Sequence, residues 1–122
     1  MNTPQTLPEA PSATGLPARA LLDQQMTEKQ LAAAIVCALR HAGWLVWFTY
    51  RSTHSPPGEP DIRAARPPRY CLIELKTERG ILTPHQRIAA EALRRCPGVE
   101  YYEIRPRNLD AFLWVTREEG ED

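Results

Sequence analysis

The chain has 122 residues, 43% hydrophobic and 25% charged, with 15 basic and 15 acidic side chains. That is enough for one globular domain and too little for two, and no apolar run approaches the ~20 residues of a membrane span. A net charge of zero excludes a simple polycation. The charge is nevertheless unevenly placed. Residues 24–117 carry 14 Lys+Arg against 9 Asp+Glu, and the other acids lie towards the ends. A modestly basic body with an acidic tail at 118–122 is compatible with phosphate binding. The N-terminus lacks the basic start and apolar stretch of a secretory signal, so a cytoplasmic setting is expected. Cys37, Cys71 and Cys96 sit in apolar patterns, as reduced, core-facing thiols would. There is no Gly-rich phosphate loop, and no nucleotide cofactor is expected.

Residues 1–23, with Pro4, Pro8, Pro11 and Pro17 among small and polar residues, read as a flexible leader in which Ala18–Leu22 can form a helical turn against the body. Thr27-Glu28-Lys29-Gln30 has the form of a capping box and starts a helix to about Ala42, with Gly43 placed to close it. Its apolar face is Leu31, Ile35, Leu39 and Ala42. Glu28 lies on that face, at the edge of the stripe. Taken locally it is a carboxylate favoured by the helix N-terminus.

Trp44–Tyr50 reads as a strand. The breaker-rich loop that follows carries Arg51, His54, Pro56, Pro57 and Gly58. Asp61–Ala65 is a short strand, Arg66-Pro67-Pro68-Arg69 turns the chain, and Tyr70–Lys76 is the most convincing strand of the sequence. Thr83-Pro84-His85-Gln86 starts a second helix, with Thr83 as cap and Pro84 at the first helical position. It runs to about Arg95. Val99–Ile104 is a further strand, and Asn108 caps a last helix from Leu109 to about Thr116. The order is α-β-β-β-α-β-α, a mixed sheet flanked by helices in an α/β domain over residues 24–117.

Alternation along a strand puts Glu74 and Lys76 on one face and Ile73 and Leu75 on the other. If the two strands pair as a hairpin with Ala65 opposite Tyr70, Asp61 falls opposite Glu74 and diagonal to Lys76. One residue of slip would turn Asp61 away. Two carboxylates and a backbone carbonyl, with Leu75 the candidate, make the oxygen-only site that Mg²⁺ or Mn²⁺ accepts. Lys76 beside it could orient a water and neutralise charge developing on a phosphate, and Glu28 could ligate directly or through water. The chain has 13 Arg and only two Lys, Lys29 and Lys76. A compact ammonium at Lys76 therefore suggests a position where a guanidinium is not equivalent. A lone Glu-x-Lys usually marks a solvated face, and Pro-Asp is common at loop-to-strand junctions. Their combination, with 12 residues between Asp61 and Glu74 and helices on both sides, favours a metal site.

Gly58-x-Pro60-Asp61, Ile73-Glu74-Leu75-Lys76 and Gly80-x-Leu82-Thr83-Pro84-x-Gln86 together resemble the PD-(D/E)XK nuclease superfamily, and within it the virus-type replication-repair nuclease (VRR-NUC) family. The resemblance covers about Met26 to Thr116. It implies a restriction-endonuclease-like fold and a Mg²⁺- or Mn²⁺-dependent endonuclease acting on branched or structured DNA in replication or repair, as a Holliday-junction resolvase does, with a phage or prophage as the expected setting. It places metal binding on Asp61 and Glu74, with Glu28 completing the site, catalysis on Lys76, and Gln86 beside the centre. Glu59 adds a further acid next to Asp61. Arg51, His54, Arg79, His85 and Arg87 flank the motif as candidate phosphate contacts. Symmetric cutting by so small a domain would need a homodimer. Two alternatives stay open: a catalytically silent DNA-binding module with this fold, and a restriction or defence nuclease that needs a partner. Cys37 and His41, four apart on one helix, have zinc-ligand spacing but no second pair.

Overall fold

The computed structural model describes Leu7, residues 17–49 and residues 56–118. Its elements are α1 (Pro17–Gln25), α2 (Glu28–His41), β1 (Leu45–Phe48), β2 (Ile62–Arg66), β3 (Arg69–Leu75), α3 (Pro84–Arg94), β4 (Glu100–Ile104), a 3-10 turn (Pro106–Asn108) and α4 (Leu109–Val115). The four strands form one sheet in the order β1-β2-β3-β4. The first two pairings are antiparallel and β3 runs parallel to β4. A parallel neighbour needs a crossover connection, and α3 supplies it.

Both long helices begin as their sequences dictate. Thr27 and Gln30 form a complete capping box at α2, and Thr83 and Gln86 form another at α3 with Pro84 in the first turn. Gly43, at φ +88°, lets the chain leave α2 in the left-handed region and enter β1. Pro67 and Pro68, joined by a cis peptide bond, close the β2–β3 hairpin with Ala65 opposite Tyr70, the register expected.

Side chains alternate in direction along β3, which is buried on both faces from Cys71 to Leu75. Cys71, Ile73 and Leu75 join Leu31, Ile35 and Leu39 of α2 and Phe112 of α4 in the main core. Leu72 turns the other way, onto Tyr101 and Ala90 of α3. Tyr102 meets Phe112 edge to face, ring centres 5.2 Å apart. Among the described residues no helix is long and apolar enough to cross a membrane.

Two expectations change. The helical turn over Ala18–Leu22 is part of a longer helix, α1, which starts inside the leader assigned to residues 1–23 and ends beyond it. Arg19 pairs with Asp23 one turn on and with Asp110 of α4, each at 3.1 Å, so a tertiary ion pair anchors a helix whose own sequence is weakly amphipathic. Of the cysteines, Cys71 is core-facing, but Cys37 and Cys96 are exposed. Cys37 falls on the side of α2 away from the Leu31–Ile35–Leu39 stripe, and Cys96 lies past the end of α3.

The starts of β3 and β4 hold a buried ionic cluster. Arg69 grips Glu100 with two bonds of 2.8 and 2.7 Å, and the Tyr102 hydroxyl donates to the same carboxylate at 2.6 Å. Arg69 also donates to the Val115 carbonyl, and the Trp44 indole donates to that of Thr116, so the cluster ties the end of α4 to the sheet. Burial opposes ionisation of Glu100, but the Arg69 and Tyr102 hydrogen bonds outweigh it and hold the carboxyl below its ordinary range. A lowered folded-state value adds stability at neutral pH that disappears as pH falls through that value. Wild type and Glu100→Gln should therefore differ most in urea midpoint near neutrality, the gap beginning to close as pH falls past the ordinary Glu value of about 4.3 and closing further as it passes through the lowered value of Glu100. Arg69→Ala, which strands a carboxylate only 3% exposed, should cost about 3 kcal/mol in the same titration.

Candidate metal centre

The site forms where β2 opens and β3 ends. Asp61 directly precedes β2, so the hairpin register carries it opposite Glu74. Its Oδ2 accepts a 2.8 Å bond from the Leu75 amide, fixing the carboxylate against the backbone between Glu74 and Lys76. The approach depends on Gly58. That residue sits at φ +85°, and a Cβ there would stand 2.5 Å from the His85 carbonyl oxygen. Only glycine lets the loop before Asp61 pass so close to the start of α3.

Glu74 is 1% exposed, and its Oε2 accepts a 3.1 Å bond from the Gln86 amide nitrogen. The other end of that amide accepts the Thr83 N–H at 2.9 Å. One side chain thus starts α3 and orients a buried carboxylate. Lys76 is 6% exposed, and its backbone N–H continues the parallel ladder by bonding the Ile104 carbonyl at 3.0 Å. Its stem passes Gly80. Among the described residues no acceptor reaches its ammonium. Glu28 lines a cavity together with Asp61 and Leu75.

Asp61 is therefore brought to the Glu74–Leu75 backbone, Gln86 to Glu74, and Glu28 to the cavity that Asp61 lines. The flanking cations are more scattered. Arg79, His85 and Arg87 are exposed, and Arg79 donates to Gln24 of α1 at 3.3 Å. Arg51 and His54 lie outside the described residues. Among the described residues no three His, Cys, Asp or Glu side chains cluster as a metal cage, at Cys37 and His41 or elsewhere. Mg²⁺ does not require one. It keeps several waters and is commonly held by one or two carboxylates plus substrate phosphates. An oxygen-only donor set of Asp61, Glu74 and the Leu75 carbonyl fits that chemistry.

Two further residues escaped the sequence reading. Arg105 donates to the Thr77 and Gly80 carbonyls at 2.8 and 2.6 Å while Glu103 holds it at 2.7 Å, so it clamps the loop that follows Lys76. The Tyr101 ring, 1% exposed, lies under the Arg94 guanidinium, 5.1 Å from its centre. Burial first, and then the charges of Glu74, Glu103 and Asp61, push its ionisation upward, against the pull of Arg94. The phenol stays protonated beside the carboxylates. Neither residue belongs to a local motif, because Arg105 acts on a loop 25–28 residues earlier.

No family model matches the chain, and no curated protein does. Among solved structures it is similar to one described as "VRR_NUC domain", with a TM-score of 0.57 and 22% sequence identity, over 71% of this chain and 94% of that one. The chain has the fold of a VRR_NUC domain. Strands β2 and β3 are the two inner strands of the sheet: Asp61 directly precedes β2, Glu74 lies on β3 with Lys76 just beyond it, and Gln86 lies in the first turn of α3.

Gln86→Glu keeps a capping-box residue at the third helical position while removing the donor to Glu74. We expect unchanged helix content by circular dichroism and a 10- to 100-fold weaker Mn²⁺ affinity by calorimetry, of the order seen when a ligand's orienting partner is lost. Arg105→Ala should speed amide exchange across residues 77–80 while leaving β2 protected.

Proposed function

We propose that the chain is a divalent-metal-dependent nuclease that hydrolyses phosphodiester bonds in DNA. The single observation that carries the reading is Lys76, a buried ammonium without an acceptor among the described residues, two positions after the buried Glu74. Burying a lysine with no protein partner is unfavourable. The position makes sense where an anionic ligand completes it.

Asp61, Glu74 and the Leu75 carbonyl would hold the ion, and Glu28, in the cavity it shares with Asp61, would support it through water. A bound Mg²⁺ or Mn²⁺ would acidify a water and offset charge on the phosphate oxygens. Gln86, which donates to Glu74, would fix the orientation of that carboxylate. Lys76 orients the attacking water and stabilises the charge that builds on phosphorus-bound oxygen. The water oxygen bonds to phosphorus, the ester P–O bond breaks, the water's proton passes to solvent, and the leaving oxygen takes up another. Arg79, His85 and Arg87 supply positive charge around this centre for phosphates.

The proposed substrate is branched or structured DNA in replication or repair, cut in the cytoplasm of a bacterial or phage-infected cell. A homodimer would place two centres for paired cuts. Purified protein should cut DNA with Mg²⁺ or Mn²⁺ and stop when a chelator is added. Glu74→Gln and Lys76→Met should each lose at least about 100-fold in rate, the scale of one transition-state contact. Metal-independent cleavage, or full activity in both variants, ends the reading. DNA binding without cleavage under any ion would make the protein a silent binding module instead.

A further inference from the structure

The segment that leads from Lys76 to α3 is tied down residue by residue. Arg105, itself held by Glu103, grips the Thr77 and Gly80 carbonyls at 2.8 and 2.6 Å. The Glu78 carboxylate accepts the Arg107 N–H at 2.8 Å, and Arg79 donates to Gln24 of α1 at 3.3 Å. Gly80 lies against Lys76, where an added Cβ would stand 3.4 Å from the lysine Cδ. Thr83 then opens α3 with its capping box. Between these two fixed points stands Ile81, 73% exposed, the most exposed large apolar side chain among the described residues.

An exposed apolar side chain is by itself ordinary. Here its backbone is held on both sides, one residue beyond the glycine that touches Lys76, and the same short stretch carries Arg79, His85 and Arg87, all exposed. The cations suit phosphates. An isoleucine offers a phosphate nothing. What it matches is the apolar face of a base, which is reached where two stacked bases part. Positive charge on either side would hold the nucleic acid down, and a backbone already fixed loses little freedom when its tip enters. We propose that Ile81 is an unstacking wedge that enters the base step beside the bond Lys76 serves. It is then a specificity-determining contact, favouring steps that open at low cost over stiff ones. The choice of DNA rests on the nuclease reading, whereas unstacking needs no cleavage.

The test uses branched duplexes that each carry one 2-aminopurine, an adenine analogue that brightens when its stacking is lost. The label is placed in turn at each step near the branch, and Ca²⁺ replaces Mg²⁺ as an oxygen-seeking ion that offsets the carboxylates. Wild type should brighten the label at one step. Ile81→Ala should abolish that signal and bind the DNA roughly tenfold more weakly, the scale of about two buried methylene groups. Ile81→Leu should keep both. Leu45→Ala, which removes an equally exposed apolar side chain at the opposite end of the sheet, should change neither. Circular dichroism checks that each variant folds. A wild type that brightens no step, an Ile81→Ala variant that keeps the signal, or equal loss in Leu45→Ala overturns the proposal. If the signal depends on Ile81 but wild type never cuts with Mg²⁺ or Mn²⁺, the wedge stands and the nuclease reading fails. If wild type cuts and no step brightens, the wedge fails and the nuclease reading stands.

Discussion

A carboxylate and an ammonium, both almost wholly buried and two residues apart at the end of the central strand, impose the constraint around which this molecule is built. Removing either charge from water costs several kcal/mol even after the protein relaxes. Glu74 meets that cost in part through Gln86, and Lys76 lies where the loop beyond it is pinned by Arg105. Asp61 joins from the neighbouring strand, its carboxylate tied to the Leu75 amide. Each of these side chains is fixed by an element whose main work is structural.

Helix α3 shows how tightly the two roles are joined. It is the crossover that a parallel β3–β4 pair demands, its first turn carries Gln86, and its His85 carbonyl abuts Gly58 just before Asp61. Moving α3 would release the Glu74 carboxylate and the loop leading to Asp61 together. That is why a glycine, a capping threonine and a glutamine far apart in sequence all bear on one site.

The sheet has two ionic ends with opposite uses. At the start of β3 and β4, Arg69, Glu100 and Tyr102 satisfy one another and hold α4 in place, so nothing remains for a ligand. At the far end the ammonium of Lys76 has no acceptor among the described residues. Satisfied buried charge holds a fold together. Unsatisfied buried charge marks a candidate site.

Local chemistry was legible in the sequence. Capping boxes at Thr27 and Thr83, the Gly43 exit and the β2–β3 register with Ala65 opposite Tyr70 all depend on residues a few positions apart or joined by one tight turn. The same holds for the Asp61, Glu74 and Lys76 spacing, because alternation along paired strands is a fixed geometric rule. The chain order alone did not show that α1 docks through Arg19 and Asp110, that Cys37 and Cys96 face outward, or that Arg105 grips a loop some 25 residues earlier. Those features arise when separate elements pack, and their partners are chosen by proximity in space, which a run of residues does not encode one position at a time.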